Sequence, residues 1–75
     1  MFIEWLDNQS KEIGISSEEV LERTYMNTNL LKHWRDKKLI NTTNIISIVR
    51  TIYKLQKKKT YRELLLEAIK EEAKR

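Results

Sequence analysis

Thr43-Asn44-Ile45-Ile46-Ser47-Ile48-Val49-Arg50-Thr51-Ile52-Tyr53-Lys54-Leu55 decides the fold of this chain. Its isoleucines are β-branched and would suit a strand. The apolar residues Ile45, Ile48, Val49, Ile52 and Leu55 nevertheless recur at i, i+3, i+4 and i+7, which is the period of a helix and not the alternation of a half-buried strand. Ile46 and Tyr53 add a second flank. A helix that is apolar around so much of its circumference belongs at the centre of a domain. The loop Ile40-Asn41-Thr42-Thr43 precedes it and ends in a cap residue, so the helix is expected over about 43–55.

Four more helices are expected around it. Over about 2–13, Phe2, Leu6, Gln9 and Ile13 form a stripe with Ile3 and Trp5 beside it, and Gly14 suits the left-handed position after a helix end. Ser16 and Glu19 make a capping box for a second helix over about 17–24, with Val20, Leu21 and Thr24 pointing inward. Met26-Asn27-Thr28-Asn29 is a polar break rich in cap residues, and a third helix follows over about 28–38 with Leu30, Leu31 and Trp34 as its apolar side. Lys57-Lys58-Lys59 reads as a solvated connector. Thr60 and Glu63 form a second capping box, and a fifth helix is expected over about 61–74, with Tyr61, Leu64, Leu65, Ala68 and Ile69 on its inner face and Leu66 outside it. The expected fold class is therefore all-α: a compact bundle of five short helices, with one short turn of about three or four residues between helices two and three.

The chain has 75 residues, one glycine, no proline and no cysteine. That length makes one domain over residues 1–75, which buries roughly 60–65% of its unfolded surface. No disulfide or thiolate metal site is possible, and His33, the single histidine, cannot hold zinc alone. No stretch approaches the roughly 18 apolar residues of a membrane span, and no basic-then-apolar leader opens the chain, so a cytoplasmic protein with no membrane partner is expected. Heavy use of Lys, Ile and Asn suits an AT-rich coding sequence of the kind found in low-GC bacteria and their phages.

Charge is segregated along the chain. Residues 1–29 carry Lys11 and Arg23 against six acids; residues 30–62 carry ten cations against the single acid Asp36, a net +9 within an overall +4. Such a block attracts a polyanion. No catalytic set accompanies it. There is no cysteine, no serine placed with a histidine and an acid, and no glycine-rich phosphate loop. Glu18-Glu19 and Glu71-Glu72 are adjacent pairs that point about 100° apart on a helix and cannot share one site. Neither an enzyme nor a cofactor is expected.

The segment Ile15-Ser16-Ser17-Glu18-Glu19-Val20-Leu21-Glu22-Arg23-Thr24-Tyr25-Met26-Asn27-Thr28-Asn29-Leu30-Leu31-Lys32-His33-Trp34-Arg35 has a recognisable rhythm: a capped helix from Ser17, an apolar Val20, a turn at Tyr25-Met26, and buried positions at Leu31 and Trp34. Lys37-Lys38-Leu39-Ile40-Asn41-Thr42-Thr43-Asn44-Ile45 then leads into the fourth helix. In these residues the chain resembles the lambda-repressor-like, or Cro-like (Xre-type), helix-turn-helix family. It departs from the family pattern at Ser17, often Gln; at Leu21, usually small; at Tyr25, usually Gly because the backbone turns left-handed there; and at Lys37, often Gly.

The resemblance implies that helices two and three form a helix-turn-helix whose third helix lies in the major groove of double-stranded DNA. Asn27, Thr28, Asn29, Lys32 and His33 would then face the bases, since Asn pairs with adenine, Thr meets a thymine methyl, and Lys favours guanine. Ser17, Arg35, Lys37, Lys38 and Lys54 would face phosphates. Two half-sites call for a homodimer, with helix five, residues 60–75, as the joining element through Leu65, Leu66 and Ile69. The expected function is a sequence-specific, repressor-like transcriptional regulator of bacterial or phage type. The alternative is a small helical protein-interaction module, such as a phage inhibitor or adaptor of a host protein, which Leu21 and Tyr25 at the turn favour. RNA binding is disfavoured, because Trp5, Trp34, Tyr25, Tyr53 and Tyr61 mostly fall on apolar stripes and leave few rings free to stack on bases.

Overall fold

A computed structural model describes residues 1–37 and 40–74, with the side chain of Lys37 outside that description. Five helices and no strand are present among these residues: α1 (Phe2–Ile13), α2 (Ser17–Arg23), α3 (Asn29–Lys37), α4 (Thr42–Leu55) and α5 (Tyr61–Ala73). The helix period of 43–55 therefore outweighs the strand preference of its isoleucines. The fourth helix starts one residue before its expected start, because Asn41 and not a threonine caps it: the Asn41 side chain accepts the Asn44 N–H at 2.8 Å.

The ends of α1 and α2 are built alike. After α1, Gly14 is left-handed at φ 93°, and the Ile15 and Gly14 N–H groups return to the Ser10 and Lys11 carbonyls. After α2, Tyr25 is left-handed at φ 60°, and the Met26 and Tyr25 N–H groups return to the Leu21 and Glu22 carbonyls. Both are six-to-one, five-to-two closures of a helix end. The connection from α2 to α3 is five residues, Thr24 to Thr28, longer than the three or four expected. Thr60 and Glu63 form the expected capping box at α5, whereas at α2 Ser16 accepts the Glu19 N–H but the Glu19 carboxylate turns to Arg23, so only half of that box forms.

The core is one apolar cluster. α4 packs against α5, α2 and α1; α5 and α2 also pack on α1, and α3 packs on α1. Ile48, Val49 and Ile52 meet Phe2, Leu6, Val20, Leu21 and Leu64 there, with Leu31 and Trp34 closing one side. Each such buried aliphatic side chain contributes about 1.5–3 kcal/mol by leaving water. Among the described residues α2 and α3 are not one of the main packing pairs, and Leu21 is fully buried among the other helices.

α5 is rotated from the expected face. Ile69 is 47% exposed beside Leu66 at 50%, and burial centres on Leu64 and Ala68. Glu67 and Glu71 occupy the half-buried flank instead. Glu67 accepts a bond from the Trp5 indole at 3.1 Å and pairs with Lys59 at 3.0 Å, and Glu71 lies 3.8 Å from the N-terminal amine. These contacts hold the two acids on the packed flank of α5, while Ile69 faces solvent. No helix among the described residues is long and apolar enough to cross a membrane.

Candidate nucleic-acid interface

α3 presents one face to the core and one to solvent. Leu31 and Trp34 are buried and Leu30 half-buried, so at 100° per residue Asn29, Lys32, His33 and Asp36 form the opposite stripe at i, i+3, i+4 and i+7. All four are exposed. Of the five residues expected to face bases, three therefore share this stripe. Asn27 is exposed, but its side-chain carbonyl caps α3 by accepting the Asn29 N–H at 2.8 Å. Thr28 is half-buried at the same helix start. Asp36 places one negative charge at the C-terminal end of the stripe, so its positive end is the N-terminal one.

The expected phosphate contacts divide. Lys54 is exposed and, among the described residues, has no acid partner; it lines a cleft with Arg23, Tyr25 and Thr51 beside the α2–α3 turn. Ser17 is corrected: it is only 6% exposed, and its hydroxyl donates to Asp7 at 2.6 Å, so it serves the interior and not a ligand. Arg35 is exposed but engaged. Its guanidinium donates two bonds to Asp7, at 2.8 and 3.0 Å, which ties α3 to α1 and leaves three of its five N–H donors toward solvent. The Arg35 bonds are the main cause that holds the Asp7 carboxyl below its ordinary value, with help from Ser17 and against the opposing effect of burial; the same pairing raises Arg35. The side chain of Lys37 and the whole of Lys38 lie outside the described residues.

Pairing thins the basic block without removing it. Lys59 is pinned to Glu67 as Arg35 is to Asp7. At Glu67 burial works to raise the carboxyl, and the bonds from Trp5 and Lys59 outweigh it and lower it. Lys32, Arg50, Lys54, Lys57, Lys58 and Arg62 remain exposed without an acid partner among the described residues. Every buried side-chain nitrogen and oxygen described has a hydrogen-bond partner, and no described group of three or more His, Asp or Glu could hold a metal ion.

Two aromatic assignments change as well. Tyr25 is 97% exposed and Tyr53 45%, so neither belongs to the core, although Tyr53 meets Tyr61 edge-on at 6.0 Å. A residue that carried no expectation, Gln56, organises the α4–α5 connector: its side chain accepts the Lys58 and Lys59 N–H groups and donates to the Lys59 carbonyl. A glutamine after a helix end has many possible partners, so nothing in the sequence singles it out.

Compared with known proteins, the chain matches no family model, no curated protein and no solved structure.

Proposed function

We propose that this protein is a sequence-specific DNA-binding regulator of bacterial or phage type that lays α3 in the major groove. The observation that carries the reading is the exposed stripe Asn29–Lys32–His33, three side chains free to meet base edges on a helix whose opposite face is anchored in the core. An α-helix fits the major groove, and residues near its start reach the bases. Asp36 at the far end of the stripe favours entry by the Asn29 end, since it is repelled by phosphates. Lys54 lies beside the α2–α3 turn that leads into α3, and along the sequence Lys37 ends α3 and Lys38 comes next. A regulator of this kind works in the cytoplasm.

Selection of bound duplexes from a random pool, followed by titration in increasing salt, tests the reading. Lys32→Ala should flatten the slope of log affinity against log salt by about 0.9 if it meets a phosphate, or relax one base preference if it meets guanine. Asn29→Ala should relax preference at one position, costing about 1–3 kcal/mol there. A pool that yields no preferred sequence, or both variants behaving as wild type, overturns it.

A homodimer follows from the exposed pair Leu66 and Ile69, with half-buried Leu65 behind them. Glu63 and Lys70 flank the pair, so an antiparallel two-fold pairing of α5 sets each opposite its counterpart of other sign. Pairing through α5 must then set the two α3 helices about 34 Å apart to meet successive half-sites. Light scattering should give a dimer that Leu66→Lys turns into a monomer. The protein-interaction reading draws support from Tyr25, an almost fully exposed ring in a left-handed turn. Absence of any duplex binding at low salt would favour it.

A further inference from the structure

We infer that the α4–α5 connector is a built phosphate-backbone contact, in which Lys54, Lys57 and Lys58 form a cationic track that Gln56 holds in shape. This deepens the DNA-binding reading and rests on it for the identity of the polyanion, the phosphodiester backbone of duplex DNA.

Three exposed lysines in sequence ordinarily form a loose, solvated loop. Here the loop is closed by side-chain bonds. Gln56 Oε1 accepts the backbone N–H of Lys58 at 2.9 Å and of Lys59 at 2.8 Å, and Gln56 Nε2 donates to the Lys59 carbonyl at 3.0 Å. Lys59 is fastened from the other side, its ammonium 3.0 Å from Glu67, which also receives the Trp5 indole N–H at 3.1 Å. With one lysine pinned inward, Lys57 and Lys58 are left exposed and, among the described residues, without an acid partner.

Lys54 joins them in one open cleft of about 440 Å³, walled by the half-exposed ring of Tyr53. Lys54 also borders the next cleft, beside Tyr25 of the turn that precedes α3; there Arg23 is paired with Glu19 at 2.7 Å and Glu22 adds an acid, so the run of free cations ends at Lys54. Like charges gathered on a fixed frame repel one another and oppose folding; a polyanion relieves that repulsion. The frame adds affinity, because the ordering cost of the loop is already met before binding. A track that ends at Lys54, beside the α2–α3 turn, is placed to hold the strand flanking the groove that α3 enters.

The test measures affinity against salt for two duplexes, one of random sequence and one selected by the protein. Replacing both Lys57→Ala and Lys58→Ala should flatten the salt slope by about 1–2 on both duplexes, with the ratio between them unchanged, since backbone contacts carry no sequence information. Gln56→Ala keeps every charge, so its salt slope should stay near wild type while affinity falls about 3–10-fold through loss of the frame. A wild-type slope in the double lysine variant overturns the track. Wild-type affinity in a Gln56→Ala protein that melts as wild type does overturns the built frame. The two readings fail separately: if α3 does not read sequence, the two duplexes bind equally but the lysine variant still flattens the slope, whereas if the track is absent, preference persists and the slope does not move. Inorganic phosphate at matched concentration should compete weakly with the duplex; equal competition per phosphate would assign the site to the free anion and overturn the backbone proposal.

Discussion

The ends of α1 and α2 close through the same pair of backbone hydrogen bonds, yet one uses glycine and the other tyrosine at the left-handed position. Gly14 adopts φ 93° at no steric expense, whereas Tyr25 holds φ 60° against a penalty of about 1–2 kcal/mol. Each turn is also pinned by side chains. Beside the first, Ser17 donates to Asp7, which Arg35 grips from α3. Beside the second, the Thr24 and Thr51 hydroxyls meet at 2.8 Å and tie α2 to α4. The contrast teaches that the path of the backbone is set by hydrogen-bond closure and by core packing on either side of the turn. Glycine makes the turn easier without being what creates it. The Tyr25 ring is almost fully exposed, so packing of that ring does not repay the strain.

The sharpest way to break the comparison is to make the first turn bear more strain than the second. Gly14→Val should destabilise by about 2 kcal/mol, a fall in Tm of about 8–16 °C for a domain of this size. Nothing lies within 4 Å of a Cβ built at Gly14, so the loss is backbone strain alone. Gly14→Asn, which tolerates the left-handed region, should therefore recover most of it. Calorimetric melting that leaves Gly14→Val unchanged would show that the position does not need its positive φ.

Next in size is the anchor of the first turn. Asp7→Ala removes the acceptor of Ser17 and both Arg35 bonds, leaving the buried Ser17 hydroxyl a single distant neighbour, Ser10 at 3.5 Å. The expected loss is about 1–2 kcal/mol in urea unfolding. A double-mutant cycle with Arg35→Ala should assign less than about 1 kcal/mol to the ion pair, because both partners are close to half exposed. A larger coupling would mean that α3 is held to α1 mainly by charge. Relieving the second turn is a smaller effect of opposite sign: Tyr25→Gly should stabilise by about 0.5–1 kcal/mol, the strain released less the added freedom of glycine in the unfolded chain. A destabilised variant would show that the tyrosine ring makes a stabilising contact.

Acid provides the finest distinction. Arg35 lowers Asp7 in the folded protein, so the unfolded chain takes up a proton there more readily. The contribution is fully present above about pH 4 and is lost as pH falls through the lowered folded value. Asp7→Asn should therefore make the acid limb of stability against pH shallower. The second turn, fastened by hydroxyls that do not titrate, should add nothing to that limb, and a Thr51→Val variant should keep the wild-type slope.

Much of the helical frame was legible along the chain. The Ile45–Leu55 period, the capping residues Ser16 and Thr60 and the stop at Gly14 are local signals, and each helix lies within a residue or two of its expected bounds. The candidate site was less legible. Asn29, Lys32 and His33 fall together because helical spacing puts them there, but Ser17 looked like a phosphate contact only while Asp7, distant in sequence, had no position, and the Arg35 tie to that same acid was equally hidden. Ile69 faces outward while Trp5, Lys59 and the N-terminal amine pair with Glu67 and Glu71 on the packed flank, and no periodicity within α5 reveals those partners. Gln56 gains its role only when the backbone of Lys58 and Lys59 folds back onto it.

What the amino-acid order determines alone is the set of helices, their limits, and a surplus of cations over residues 30–62, because helix period, caps and charge are properties of neighbours in sequence. What only the tertiary structure decides is which of those cations stay free. Arg35 and Lys59 are neutralised by acids from other elements, while Lys32, Lys54, Lys57 and Lys58 are left facing water. An ion pair forms between groups that packing brings within about 4 Å, and that proximity is a product of the whole core and not of any one segment.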